Sequence, residues 1–266
     1  MNILDEIAAH KRKETAENKS LYPVKLLERS IFFNSKPVSL REYVLRADKE
    51  GIIAEFKRKS PSKGVFHEEA DIEKLSIKYM IAGASALSVL TDHKYFSGSN
   101  EDLRIARKYN YCPILRKDFI IDEYQVIEAK SIGADAILLI GAVLTKAEVK
   151  QFAAKARELG MEVLYEVHDR CELDKLNEYI DLVGVNNRNL KDFSVDVQNS
   201  VEIGKSIPGD YVKISESGIS KAETIIELRE HGFKGFLIGE SFMKASHPAR
   251  ECAKLIQRIK TLKQPA

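Results

Sequence analysis

The sequence predicts an α/β protein, a (β/α)8 barrel with an N-terminal helical extension, on three observations. From about residue 51 onward, short β-branched runs alternate with amphipathic helical patterns, and the alternation occurs eight times, as parallel βα units require. The turns from helix to strand repeat a small-residue theme, AGASA, IGADA, LGMEV and HGFKG. Charged and amide residues gather where the apolar runs end, which is where barrels of this kind keep their chemistry. Eight such units close into a TIM barrel more naturally than they spread into an open sheet.

The first 50 residues precede the repeat and carry helical patterns around Ile3–Glu17, Val24–Phe33 and Ser39–Arg46, with breaks at Tyr22-Pro23 and Lys36-Pro37. Two roles stay open for them: a cap under the barrel, or a segment folded over its mouth. The strand candidates then follow in order: IIAEF after Gly51, ALSVL from Ala86, PILR from Pro113, AILLI from Ala136, EVLYEV from Glu162, LVGV from Leu182, YVKIS from Tyr211 and GFLI from Gly235. Between them, Asp122–Ile132, Lys146–Leu159 and Lys221–His231 read as helices, the second opened by Thr145 as an N-cap. Gly83, Gly133, Gly160 and Gly232 fall where a left-handed helix C-terminus is expected. The chain, 1–266, is expected to form one barrel domain of which 1–50 is the extension.

Composition narrows the function classes. With 44% hydrophobic and 31% charged residues, a large core is available and low-complexity disorder is excluded. A net charge of +2 gives no case for nucleic acid or an anionic membrane. Cys112, Cys171 and Cys252 lack any C-x-x-C spacing and read as reduced thiols. No secretory leader pattern opens the chain and no run reaches the roughly 20 apolar residues that span a bilayer, so the cytoplasm is the expected compartment.

Several ionisable residues end otherwise apolar runs. Glu55 and Lys57 are two apart, so on a strand they share a face while Phe56 points the other way. Burying such a pair costs desolvation that a purely structural core would avoid with Val or Leu, which favours chemistry over packing, although a structural ion pair at the mouth is the alternative. Lys117 and Glu166 carry the same reading, and Asn186, Arg188 and Glu216 end their runs in the same way. Ser217-Gly218 and Gly239-Glu240-Ser241 resemble the glycine-containing phosphate cradle that barrels build after strands 7 and 8. Arg58-Lys59 beside Lys57 could suggest a nucleic-acid patch, but no aromatic stacking platform is interleaved. The six histidines, His10, His67, His93, His168, His231 and His247, show no metal-ligand spacing and read as ordinary surface or loop residues. Asp92-His93 is the one mildly suggestive pair.

AEFKRKSPSKG from Ala54, LRKDFIID from Leu115, VGVNNRNL from Val183, SESGIS from Ser215 and LIGESFM from Leu237 together resemble the signatures of the indole-3-glycerol-phosphate synthase family. The resemblance spans the chain, N-terminal extension included. The first motif is the specific one; the last two recur among other phosphate-binding barrels. Phe56 stands where the family often has tyrosine and Phe242 where it often has leucine. The resemblance implies a carboxy-lyase of tryptophan biosynthesis that converts 1-(2-carboxyphenylamino)-1-deoxyribulose 5-phosphate to indole-3-glycerol phosphate, with loss of CO2 and water. Lys117 would be the general acid for ring closure, tuned toward neutral pH by a dry site, and Glu166 the proton-transfer group for dehydration. Lys57 would hold the anthranilate carboxylate or share the acid role, positioned by Glu55. Ser60, Asn186, Arg188 and Glu216 would orient the substrate; Ser217, Gly218, Gly239 and the backbone of Glu240 would take the phosphate with Lys59 as a cationic helper, the Glu240 side chain pointing away.

Two alternatives are weighed against this. A related phosphate-binding barrel such as a phosphoribosylanthranilate isomerase would share the cradle but not need the KRKSPS end of the first strand. A non-catalytic binding barrel would be expected to lose Lys57, Lys117 or Glu166, and all are present. The expected partner is a phosphorylated small molecule, with no nucleic acid, no membrane and a monomeric state. No metal or organic cofactor is implied, so activity is expected to survive exhaustive treatment with EDTA. Loss of activity that a divalent ion restores would contradict this.

Overall fold

The computed structural model describes residues 3–189 and 192–263, and in it every apolar run becomes a strand. The strands are β1 (Ile52–Phe56), β2 (Ala86–Leu90), β3 (Ile114–Lys117), β4 (Ala136–Ile140), β5 (Glu162–Val167), β6 (Leu182–Asn186), β7 (Val212–Glu216) and β8 (Phe233–Ile238). Each pairs in parallel with its neighbours in chain order, and β8 pairs with β1 through Ile52–Phe236, so the sheet closes. Pro113 and Tyr211 stand just before their strands, while β8 begins two residues earlier than expected.

The period of two sorts each strand into an inner and an outer face. Ile52, Ala54 and Phe56 pack outward under the helices, and Ile53 packs inward with Leu115, Leu138, Leu164, Leu182 and Ile214. Phe56 therefore points away from the Glu55–Lys57 side, as expected, and takes the Arg58 guanidinium 4.7 Å over its ring. The inner apolar residues fill the lower barrel, leaving the ionisable residues at the strand C-terminal ends as the top layer.

The helices start where their caps put them. Thr145 closes a capping box with Glu148 at the head of Lys146–Glu158, and Asp122 caps Glu123–Ser131 by accepting from Tyr124 N at 2.8 Å. Gly83, Gly133, Gly160 and Gly232 all have positive φ, so the expected helix terminators are in place.

Three departures have local causes. The pattern at Val24–Phe33 yields only Val24–Leu27, because the Ser30 hydroxyl donates to Ser131 O and accepts from Phe32 N, drawing the chain out of the helix. After β5 the chain makes a 3-10 turn, Arg170–Lys175, instead of an eighth α-helical crossover. There Glu172 accepts from His168 N, Asp169 from Cys171 N, and the Lys175 ammonium reaches Gly141 O and Leu144 O, so side chains satisfy the backbone that a longer helix would have. Third, Lys59–Ser60 pairs antiparallel with Gly64–Val65, a small hairpin in the β1 loop that the sequence reading did not foresee. Leu190, last residue of one motif, lies outside the described residues.

Both roles left open for the extension are used. Helix α1 (Ile3–Leu21) runs past Glu17 and lies at the mouth, where Ile3, Leu4 and Ile7 face the cavity described below. The short helix at Leu40–Leu45, capped by Ser39, plugs the opposite end: Leu40 and Val44 are buried among Ile53, Ala86 and Ile214. Leu40→Ala should thus open a cavity far from the mouth and lower stability by about 2–5 kcal/mol, read from urea denaturation, with KM unchanged. A loss under about 1 kcal/mol would show that the plug is dispensable.

Candidate active site

A cavity of about 770 Å³ opens at the C-terminal ends of the strands. Glu55, Lys57, Ser60, Lys117, Glu166, Asn186, Arg188, Glu216, Ser217, Gly218, Gly239 and Glu240 all line it. Of the residues singled out from sequence, Lys59 alone is not brought to its wall; it pairs in the hairpin, and Lys63 and Lys244 line the cavity instead.

The top layer is a set of short ion pairs. Lys57 Nζ donates to Glu55 Oε1 at 2.6 Å. Lys117 Nζ donates to Glu166 Oε2 at 3.0 Å and lies 3.7 Å from Glu216 Oε2. Glu216 is accommodated by an absence on the neighbouring strand: a Cβ on Gly184 would stand 2.1 Å from Glu216 Oε1. The Glu216 carboxyl thus occupies the space that any side chain at position 184 would fill.

These contacts set the proton inventory. Burial alone would lower the Lys117 ammonium, but Glu166, Glu216 and Glu55 outweigh it and hold it above the usual lysine range. This corrects the expectation of a lysine tuned toward neutrality: the site is dry, but it is also rich in carboxylate. Burial would raise Glu166, yet Lys117 and the His168 ring hold it down at about 2, so it is ionised. Glu216 goes the other way. Burial and the charge on Glu166 push it well above the ordinary glutamate range, with Lys117 opposing.

At the far side of the mouth, Ser217 and Gly218 are successive left-handed residues with φ of 69° and 75°. For Ser217 that conformation carries strain, and the turn is held by Asn187 Nδ2, which donates to Ser217 O and to Ser215 Oγ at 3.0 Å each. The helix Ala222–Glu230 begins just after it, and Gly239 precedes the short helix Glu240–Met243. Backbone amides of such turns are ready donors to a dianion. The Glu240 carboxylate is drawn aside by Arg188 Nη2 at 2.7 Å and Lys244 Nζ at 2.6 Å.

Four features of the site were not read from sequence. His168 Nε2 lies 3.4 Å from Glu166 Oε1, closer to the chemistry than a loop histidine was expected to be. Phe96, Phe119, Leu138 and the α1 residues give the cavity an apolar wall. Asp92 caps a helical turn, accepting from Tyr95 N at 2.7 Å, while His93 is exposed, so that pair acts through its carboxylate. Arg58 belongs to no basic patch, since it pairs with Asp102 at 2.7 Å.

A closed parallel barrel with an ionisable layer and the Ser217-Gly218 turn lining one cavity at the strand C-terminal ends defines a TIM-barrel enzyme. The comparisons narrow this. The family model for indole-3-glycerol phosphate synthase matches residues 4–255. A relative bearing that name from Bacteroides thetaiotaomicron is 48% identical over 97% of this chain and 99% of its own length. Another, from Caldanaerobacter subterraneus, is 42% identical over 91% of this chain and 93% of its own. The chain belongs to the indole-3-glycerol phosphate synthase family. Among solved structures, a mutant tryptophan synthase alpha-subunit from Pyrococcus furiosus superposes with a TM-score of 0.59 at 14% identity, over 80% of this chain and 99% of that one, which shows the shared fold.

The upward shift of Glu216 has a measurable consequence. Above about pH 4.5, its ordinary value, an unfolded Glu216 would ionise while the folded one does not, so the group penalises folding increasingly as pH rises toward its raised value. Glu216→Gln removes that penalty. Its urea midpoint should equal the wild type's near pH 4 and exceed it at pH 8. Equal midpoints at both would mean that Glu216 is ionised in the fold.

Proposed function

We propose that Lys117 and Glu166 carry the reaction of this family here: ring closure, decarboxylation and dehydration of 1-(2-carboxyphenylamino)-1-deoxyribulose 5-phosphate to indole-3-glycerol phosphate in tryptophan biosynthesis. The observation that supports the assignment is the Lys117–Glu166 pair, 3.0 Å apart at the cavity, with an ionised base beside a fully charged acid.

The chemistry needs two protons on oxygen and returns one from carbon. As the aromatic carbon attacks the ketone, charge builds on its oxygen, and the Lys117 ammonium stabilises and protonates it. A lysine held so firmly charged contributes more as an electrostatic donor than as a ready acid. Departure of CO2 restores the aromatic ring. The hydroxyl then leaves as water with a second proton, given by the Lys57 ammonium, while a C–H proton passes to Glu166. The net uptake of one proton matches the carboxylate charge lost as CO2.

Around this centre, Lys57 holds the anthranilate carboxylate, with Glu55 fixing its position. Asn186 and Glu216 orient the sugar hydroxyls, the neutral Glu216 as a donor, and Ser60 and Arg188 stand at the rim. The backbone of Ser217, Gly218, Gly239 and Glu240 takes the phosphate. A monomeric barrel, 1–266 with 1–50 as its extension, acting in the cytoplasm on a small phosphorylated substrate, completes the proposal; three free cysteines and a balanced charge support it.

Lys117→Ala and Glu166→Gln should each lower kcat by about 10²–10⁴-fold with little change in KM, because the phosphate is gripped across the mouth from either side chain. Ser217→Asp should chiefly raise KM. Single-turnover experiments with a labelled substrate carboxylate should show no early CO2 from the Lys117 variant, whereas the Glu166 variant releases CO2 before indole appears. Near-normal turnover by Lys117→Ala would move the acid role to Lys57.

A further inference from the structure

We infer that Lys11 is a positioning residue for catalysis: its buried ammonium docks α1 across the mouth and holds the strand end that carries Lys117. The inference rests on the proposed function of Lys117. Helix α1 buries Ile7, Ala8, Lys11 and Thr15, one stripe at helical spacing, and the middle of that stripe is a lysine where packing alone would call for leucine. Lys11 has no exposed surface.

Its Nζ lies 2.8 Å from Glu14 Oε1, 2.9 Å from Asp118 Oδ1 and 3.1 Å from Asp92 Oδ2. Asp92 follows β2 and Asp118 follows β3, so one side chain of the extension ties two barrel strands. No hydrogen-bond donor serves Asp92 Oδ2 among the described residues, and the ammonium is the cation beside it. Asp118 also accepts from Thr91 Oγ1 at 2.6 Å, Arg116 Nη2 at 3.1 Å and its neighbour Phe119 N at 2.8 Å. Arg116 in turn pairs with Glu128 at 2.6 Å. Both residues flanking Lys117 therefore sit in one buried network, and Lys117 O accepts from Thr91 N at 3.2 Å.

One turn before Lys11 on the same helix, Ile7 lines the cavity with Ile3 and Leu4. Lys11 thus fixes two things together, the apolar wall and the direction of the catalytic lysine. Without it Asp92 and Asp118 would repel each other beneath the helix, with Arg116 already shared with Glu128.

The test compares Lys11→Met with Leu40→Ala, which perturbs the opposite end of the barrel. At a temperature where circular dichroism shows both folded, Lys11→Met should lower kcat and raise KM, for a combined loss in kcat/KM of at least about 10-fold, of the size that small misplacements cause. Leu40→Ala should leave both constants unchanged. Wild-type constants in folded Lys11→Met would overturn the inference. Should Lys11→Met fail to fold, Asp92→Asn takes its place with the same expectations. Hydrogen exchange on the wild type needs neither variant nor substrate: amides of α1 around Lys11 should exchange as slowly as those of β2 and β3, and fast exchange there would overturn the docking. Absent turnover by the wild type, with slow exchange in α1, would instead count against the proposed function alone.

Discussion

Three carboxyl groups and two ammonium groups share the top of this barrel, and the imbalance governs the site. Glu55 is matched by Lys57 and Glu166 by Lys117, each pair within hydrogen-bond distance. Glu216 is left over, 3.7 Å from an ammonium already engaged. In water the excess charge would be trivial; among carboxyl groups buried this deeply it is costly, and the cost appears as the upward shift of the odd carboxyl. One geometric fact therefore sets three directions at once: Lys117 held above the ordinary lysine range, Glu166 below and Glu216 above the ordinary glutamate range. The acid and the base proposed for the reaction stand at adjacent positions, Lys117 Nζ 3.0 Å from Glu166 Oε2.

The scaffold makes such a layer tolerable. Parallel closure aligns all strand ends at one rim, and the period of two turns Glu55, Lys117, Glu166 and Glu216 to the same side as the aliphatic residues beneath them. Those lower layers, finished by Leu40 and Val44 of the extension, supply burial that offsets the charged layer above. The space for Glu216 is made by Gly184, and a larger residue there would displace the Glu216 carboxyl. Stability is concentrated at the bottom and chemistry at the top, joined through strands only four to six residues long.

What could be read from sequence follows from what is local. Strand identity was legible because β-branched runs and their bounding glycines are short-range signals, and Thr145 announced its helix as a cap does. Glu55, Lys57, Lys117 and Glu166 were legible because a charge ending an apolar run is anomalous in itself. The direction of the Lys117 shift was not. It depends on how many carboxylates converge from other strands, a sum over residues 50 to 100 positions apart, and dryness alone pointed the wrong way. Lys11 was hidden for a related reason: within HKRKE it looks like one more surface cation, and only the tertiary position of Asp92 and Asp118 makes it buried. The Ser30 turn and the 3-10 segment after β5 were missed because side chains intercept backbone groups there, which no periodicity records.

The extension then becomes part of the site's polarity. The Ser217-Gly218 and Gly239 turns lie after β7 and β8, while α1 docks on the ends of β2 and β3; β3 and β7 are four apart in a ring of eight, hence opposite each other. The cavity is consequently apolar on one side and rich in amides on the other, with the Lys117–Glu166 pair between. Eight βα units alone would supply the glycine turns and the charged floor, leaving the apolar side open to water. A preceding helix whose buried stripe holds a cation for the strand ends, and whose first turns hold aliphatic residues for the cavity, closes that side and aligns the floor in a single contact.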